Sequence, residues 1–357
     1  MPDPVDVLDF EKLAPGHMSA MAWEYFSGGA GDELTLRWNH EAYRGLRLAP
    51  RCLVDVSSLD TRVSLLGRER PHPIVLAPIA YQRLAHAEGE QATARGAAAA
   101  GATFVLSSFS TTSLEDVAAA APGPLWFQIY VQPDREFTRE LVRRAEAAGY
   151  EALVLTVDTP ILGARYRESR VGFVLPPGLE KANLRSLPGG TGSHRPKGMD
   201  IFSTVLDPKL TWRDVGWLRG QTRLPVLLKG ILSAEDAVRA VEAGASGIIV
   251  SNHGGRNLDT TPATIDVLPG IAEKVAGRVP VLVDGGIRRG TDVLKALACG
   301  ASAVCVGRPY VYGLAVGGAE GVARVVEILR REFEMAMALT GRPSVASIDG
   351  SVILRRP

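Results

Sequence analysis

Eight short apolar runs punctuate the chain: Ile74–Ala77, Thr103–Ser107, Leu125–Ile129, Ala152–Val157, Pro225–Lys229, Gly247–Ser251, Val281–Asp284 and Ala303–Gly307. None alternates cleanly between apolar and polar residues. Continuous runs of this length suit strands buried on both faces, as in a parallel sheet. Ala-rich helical candidates lie between them, among them Glu88–Ala100, Arg135–Ala148, Ala234–Ala243 and Thr291–Ala298. These close on Gly101, Gly149, Gly244 and Gly300, where a helix C-terminus favours glycine. The order is βα repeated eight times, which predicts an α/β chain closed into a (β/α)8 TIM barrel. An open doubly wound sheet is disfavoured, since no GxGxxG opens the first βα turn.

Two regions fall outside the repeat. Residues 1–70 read as a helical extension packed on the barrel, with a short hairpin near Arg62–Arg68. Residues 71–357 then form the barrel. Between its fourth and fifth strands, residues 163–210 form a long interruption rich in Gly, Pro and basic residues. A loop of that length inside a compact domain is either functional or disordered. It reads as a mobile cover over the C-terminal mouth of the strands or as a plain tether.

Composition narrows the class. A formal net charge of +1 gives no bulk field toward nucleic acid or an anionic membrane. Cys52, Cys299 and Cys305 show neither CxxC spacing nor histidine companions, which argues against disulfides and metal and fits a reducing compartment. No run approaches the length of a membrane span. The N-terminus lacks the pattern of a signal peptide, and the C-terminus is not a peroxisomal Ser-Lys-Leu. Cytoplasm is the expected location.

Barrel chemistry gathers where strands end, so polar residues closing the apolar runs are the candidates. These are Ser107, Gln128 with Tyr130, Thr156 with Asp158, Lys229, Ser251-Asn252-His253, Asp284-Gly285-Gly286 and Gly307-Arg308. After the seventh and eighth runs, Asp284-Gly285-Gly286-Ile287-Arg288 and Gly307-Arg308-Pro309 combine glycine with arginine, as a phosphate site requires. Tight turns with solvated arginines are the bland alternative. His253 can be a general base or a turn residue, and Arg256 can clamp a carboxylate. Asp158 can orient that imidazole or cap a helix before Pro160. Lys229 predicts a buried ammonium that needs a negative partner, met by a reduced flavin or a phosphate; Schiff-base chemistry is a third use.

Thr156-Val157-Asp158-Thr159-Pro160, Lys229-Gly230, Ser251-Asn252-His253-Gly254-Gly255-Arg256, Asp284-Gly285-Gly286-Ile287-Arg288-Arg289-Gly290 and Gly307-Arg308-Pro309 stand together in one order. With them, the chain from about Tyr25 onward resembles the FMN-dependent L-2-hydroxy acid oxidases and dehydrogenases, which include glycolate, lactate and hydroxymandelate oxidases. The resemblance implies FMN as cofactor. It casts Ala77, Pro78, Ile79 and Ala80 along the flavin, and Ser107, Gln128 and Thr156 around its ring. Lys229 would sit at the N1–O2 edge, while Ser251, Asp284, Gly286, Arg288, Gly307 and Arg308 would hold the ribityl phosphate side. His253 would be the base and Asp158 its partner. Tyr25, Tyr130, Arg165 and Arg256 would contact the substrate, a small 2-hydroxy acid, with O2 as the acceptor.

Departures refine that reading. Phe109 stands where glycolate oxidases carry Trp, which implies a roomier pocket for lactate- or mandelate-like acids. Tyr81 replaces a common Met or Ala and either reshapes the wall or packs. Ala80, where lactate monooxygenases have Gly, favours release of keto acid and peroxide. The 163–210 segment lacks the apolar or strongly basic insertion of membrane-bound dehydrogenases, which favours oxygen. A homotetramer follows from the resemblance alone. Three competitors stay open: a quinone- or carrier-linked dehydrogenase, a non-catalytic flavin protein, and a non-redox isomerase of a phosphorylated substrate.

Overall fold

Alternate residues along each apolar run part to opposite sides, because strand side chains repeat every two residues. The computed structural model, which describes residues 4–187, 190, 201–203 and 205–354, shows the result as two apolar layers. A short antiparallel hairpin, β1 (Val63–Leu65) and β2 (Arg68–Arg70), comes first. The barrel strands follow: β3 (Ile74–Leu76), β4 (Thr103–Ser107), β5 (Leu125–Ile129), β6 (Ala152–Thr156), β7 (Val226–Ile231), β8 (Gly247–Val250), β9 (Val281–Asp284) and β10 (Ala303–Val306). Each pairs in parallel with the next, and β10 returns to β3, closing the barrel.

Val75, Val105, Trp126, Val154, Leu227, Ile249, Leu282 and Cys305 fill the interior. Their neighbours Leu76, Phe104, Leu106, Leu153, Leu155, Leu228, Ile248 and Val250 pack outward against the helices. The helices end as the glycine pattern predicts: Gly101, Gly149, Gly244 and Gly300 all take positive φ.

Ahead of the barrel come helices Val7–Leu13, Ala20–Ser27 and Leu34–Gly45. The last has no side-chain cap of its own. Asp259, from the loop after β8, supplies one across the fold by accepting from the backbone N–H of Asp32 (2.9 Å) and Thr35 (2.8 Å). Asn39 on this helix and Asn252 after β8 exchange amide hydrogen bonds of 3.0 and 2.8 Å. The extension is therefore fastened directly to the barrel mouth.

The described part of 163–210 is not a bare loop. Helix Tyr166–Arg170 and a turn at Ala182–Leu184 stand on buried Phe173, Leu184, Leu187, Val205 and Leu206. The expected cover includes 188–189, 191–200 and 204, which lie outside the described residues. No helix among the described residues is long and apolar enough to cross a membrane.

Candidate active site

Two residues beyond each inward apolar side chain, the same face of the strand reaches the barrel mouth. Val105 is thus followed by Ser107, Trp126 by Gln128, Val154 by Thr156, Leu227 by Lys229, Ile249 by Ser251 and Leu282 by Asp284. Six polar groups form an upper layer on an apolar floor, and all are buried. They bond laterally. Ser107 Oγ donates to Gln128 Oε1 (3.3 Å), whose Nε2 donates to Thr156 Oγ1 (3.0 Å). Lys229 Nζ donates to Ser251 Oγ (2.9 Å), which donates to Asp284 Oδ2 (2.8 Å).

The partner of Lys229 corrects the sequence reading. Its negative charge comes from the protein, with Asp284 Oδ2 at 3.2 Å, and does not wait for a ligand. Burial pulls the ammonium's pKa down, but Asp284 and Asp158 outweigh it and raise the pKa above its ordinary value. Lys229 is therefore protonated, which removes the free amine that Schiff-base chemistry needs.

Above this layer lies a cleft that is open at its mouth. Tyr25, Pro78, Ile79, Ala80, Ser107, Phe109, Gln128, Tyr130, Thr156, Arg165, Lys229, His253, Arg256, Asp284, Gly286, Arg288, Gly307 and Arg308 all line it. Three candidates sit behind its wall. Ser251 bridges Lys229 and Asp284, Asp158 backs His253, and Tyr81 packs against Tyr25 with ring centres 5.5 Å apart. Sequence reasoning passed over Thr159, Leu162 and Leu206, which also line the cleft. Leu206 belongs to the long interruption, where no strand register announces a position.

His253 is aimed by its turn. Its φ is 57°, in the left-handed region, and its N–H donates to Ser251 Oγ at 3.0 Å. Asn252 Oδ1 accepts from Gly255 N–H at 3.1 Å, and a Cβ on Gly255 would lie 2.8 Å from the Leu36 backbone nitrogen. Such a turn needs glycine there. His253 Nδ1 then meets Asp158 Oδ1 at 2.9 Å, while Thr159 Oγ1 donates to the same carboxylate oxygen at 2.8 Å. Asp158 has room because β7 carries Gly230, whose Cβ would come within 2.5 Å of it. Burial lowers the imidazole below its ordinary value, against the pull of Asp158. Burial would raise the Asp158 carboxyl, yet His253, Lys229 and Thr159 hold it at about 2. At neutral pH the pair is thus carboxylate and neutral imidazole, with Nε2 left to accept a proton. Asp158 orients a ring and caps no helix.

Two guanidiniums share the cleft with that dyad. Arg256 donates to the Tyr25 and Gly28 carbonyls, lies 4.9 Å above the Tyr25 ring, and reaches Glu168 Oε1 at 2.9 Å. Arg165 donates to the Arg256 carbonyl at 3.1 Å. Tyr130, raised by burial to about 12, remains a protonated phenol able to donate.

At the far end, Arg308 donates to the carbonyls of Phe26 (2.9 Å), Gly254 (3.0 Å) and Gly28 (2.8 Å). Among the described residues no carboxylate forms an ion pair with it, and burial, with the nearby Arg256 and Arg288, pulls it down to about 10 against the weaker pull of Glu11. A bound anion would restore the balance. Arg288 lines the same end while its Nε donates to Glu11 at 2.9 Å. Asp284 Oδ1 is buried with no hydrogen-bond partner among the described residues. A ligand with a hydroxyl chain ending in phosphate satisfies both wants, and FMN has that tail. Its ring would meet the Ser107–Gln128–Thr156 edge and Lys229. Among the described residues no cluster of three His, Cys, Asp or Glu could hold a metal ion.

Comparison with known proteins agrees with this geometry. The family model described as FMN-dependent dehydrogenase matches residues 14–355. The chain is 50% identical over 357 residues to an L-lactate oxidase of Nostoc sp., covering 98% of each. It is 48% identical over 351 residues to a maize (Zea mays) glycolate oxidase, covering 98% of this chain and 95% of that one. A solved mandelate oxidase variant with (S)-mandelic acid superposes with a TM-score of 0.89 at 42% identity, covering 99% and 98% of the two chains. A flavocytochrome b2 variant gives 0.88 at 36%, covering 99% and 87%. A cleft with buried arginine at one end and a histidine–aspartate pair at the other, in a chain matched almost throughout by this family, belongs to an oxidoreductase of the FMN-dependent dehydrogenase family, with FMN as its cofactor.

Proposed function

We propose that this chain oxidises an L-2-hydroxy acid to the 2-keto acid with O2 as the final acceptor, reduced to H2O2; bound FMN would supply the two-electron redox chemistry between them. The observation that carries the reading is the His253–Asp158 dyad opening on the same cleft as Arg165 and Arg256. His253 Nε2 takes the hydroxyl proton, and the anionic Asp158 stabilises the imidazolium that results. The substrate carboxylate keeps its charge throughout, so Arg256, Arg165 and the phenols of Tyr25 and Tyr130 serve orientation. Lys229, which lines the cleft, would present its positive charge to the flavin, whose redox chemistry is the cofactor's own.

Phe109, Leu162 and Leu206 give the cleft an apolar wall, which favours an alkyl or aryl substituent as in lactate or mandelate over the bare hydrogen of glycolate. Relatives named oxidases support O2 as acceptor. Residence in the cytoplasm and a homo-oligomeric state belong to the same proposal; the first is supported by three free cysteines, Cys52 exposed.

Anaerobic titration of the yellow protein with L-lactate, L-mandelate and glycolate tests it. Bleaching by the first two at lower concentration than by glycolate is expected, and air should restore the colour within the turnover time. Slow return in air with fast return on adding a quinone would replace the oxidase by a dehydrogenase. No bleaching by any of the acids would overturn the reading.

A further inference from the structure

The two loops that carry the dyad are laced together by a side chain that does not line the cleft. Asp158 follows β6 and His253 follows β8, and Asn257, in the histidine's own loop, reaches across the gap between them. Its Nδ2 donates to the Asp158 carbonyl at 2.9 Å and to Thr159 Oγ1 at 2.8 Å, which uses both amide protons. The reversed amide would set Oδ1 against that carbonyl, whereas here Oδ1 faces Nη2 of Arg165 at 3.5 Å. Because Thr159 Oγ1 receives the amide, its own proton is directed to Asp158 Oδ1, 2.8 Å away. The backbones meet along the same seam. A Cβ on Gly163 would clash with the carbonyls of Arg256 and Asn257, and Arg165 Nε donates to the Arg256 carbonyl at 3.1 Å.

We propose that Asn257 is a positioning residue for proton transfer, a clamp that holds the Asp158 carboxylate on Nδ1 of His253. It acts through the acid, fixing the Asp158 peptide directly and, by way of Thr159, the carboxylate oxygen that faces the ring. That oxygen, Oδ1, takes both donors, while Oδ2 is buried with no hydrogen-bond partner among the described residues. The inference rests on the reading of His253 as the base in 2-hydroxy acid oxidation and extends it to the residue that keeps the base in its working tautomer.

Burial lowers the imidazole's pKa, Asp158 raises it, and Lys229 on β7 and Arg165 after β6 lower it again. The Tyr130 phenol, which shares the cleft, is uncharged. A carboxylate that drifts from Nδ1 therefore leaves the ring less basic and releases its proton to either nitrogen. Asn257→Leu keeps the size of the side chain and removes the amide. Anaerobic reduction of the holoenzyme by L-lactate or L-mandelate should slow by about tenfold or more, the scale of a small misplacement of reacting groups, with FMN retained. The acid limb of the pH profile should move to lower pH. In an Asp158→Asn background the same change should cost about twofold or less, since its effect passes through the acid. Nitrogen NMR of histidine-labelled holoenzyme reads the ring without substrate. The His253 signal, identified by its loss in His253→Ala, should show neutral imidazole protonated on Nδ1 in the native enzyme, and a lower pKa with mixed tautomers in Asn257→Leu.

Slower reduction with an unmoved acid limb and an unchanged tautomer would overturn the proposal and leave Asn257 a packing residue. Near-native reduction in Asn257→Leu, or losses that add fully in the double variant, would do the same. If Asn257→Leu does not fold, Asn257→Ala, which admits water at a half-buried position, decides on the same readouts. A native enzyme that neither acid reduces would sink the 2-hydroxy acid reading instead, and the NMR comparison would still judge the clamp.

Discussion

Nδ1 of His253 and Oδ1 of Asp158 lie 2.9 Å apart at the ends of two different strands, and the contact fixes which nitrogen faces the ligand. An acceptor that stays ionised requires a proton on Nδ1, so the lone pair is on Nε2. Exchanging Asp158 for Asn removes the charge and permits the reversed hydrogen bond. Anaerobic flavin reduction should slow by about 10²-fold or more, the scale of a lost base or its support, with FMN retained. His253→Ala should do the same. Near-native reduction in either variant counts against the dyad.

The pH profile has a definite sign. Burial holds the His253 imidazole below its ordinary 6.5, and reduction requires the neutral ring. Activity should be full above that value and fall on an acid limb centred below 6.5. Asp158 pulls the imidazole upward, so Asp158→Asn should move the limb to still lower pH while lowering the plateau. A limb that moves up assigns the titration to another group.

Among the described residues, Arg308 hydrogen-bonds to the neutral carbonyls of Phe26, Gly254 and Gly28, which leaves it free to pair with a phosphate. Arg308→Ala should weaken FMN binding by about 10²-fold, the value of a charged hydrogen bond or two. The apoprotein should stay folded. Equilibrium dialysis of apoprotein against FMN gives the number, and native affinity in the variant would remove Arg308 from the site.

Lys229 and Asp284 form a buried pair at 3.2 Å. Asp284→Asn strands the ammonium and should destabilise the apoprotein by about 3–5 kcal/mol in urea, whereas Asp284→Asn with Lys229→Met should cost less than the single change. Additive losses would mean that the two charges do not depend on each other.

Asp259 caps helix Leu34–Gly45 from across the fold. Asp259→Ala should cost about 1–2 kcal/mol, the ordinary value of a cap. Burial would raise this carboxyl, but the N–H groups of Thr35 and its neighbours hold it below 3.8. Its contribution is therefore complete above pH 3.8 and lost as pH falls through the depressed value. Comparing native and variant urea midpoints at neutral and acid pH checks both parts; a difference that persists in acid removes the cap as its source.

The sequence by itself determined the barrel and most of its mouth. Each apolar run has to be a strand buried on both faces, and side-chain period two then carries Val105 to Ser107 or Leu282 to Asp284 at the strand end. Loops obey no such period. The tertiary structure alone decided that Asp284 rather than a ligand balances Lys229, that Asp259 caps a helix more than two hundred residues earlier, and that Glu168 stands between Arg165 and Arg256. Those pairings join distant segments whose spacing in the chain carries no signal. They exist because a buried charge or an open helix end must find a partner, and only the closed barrel determines which one is within reach.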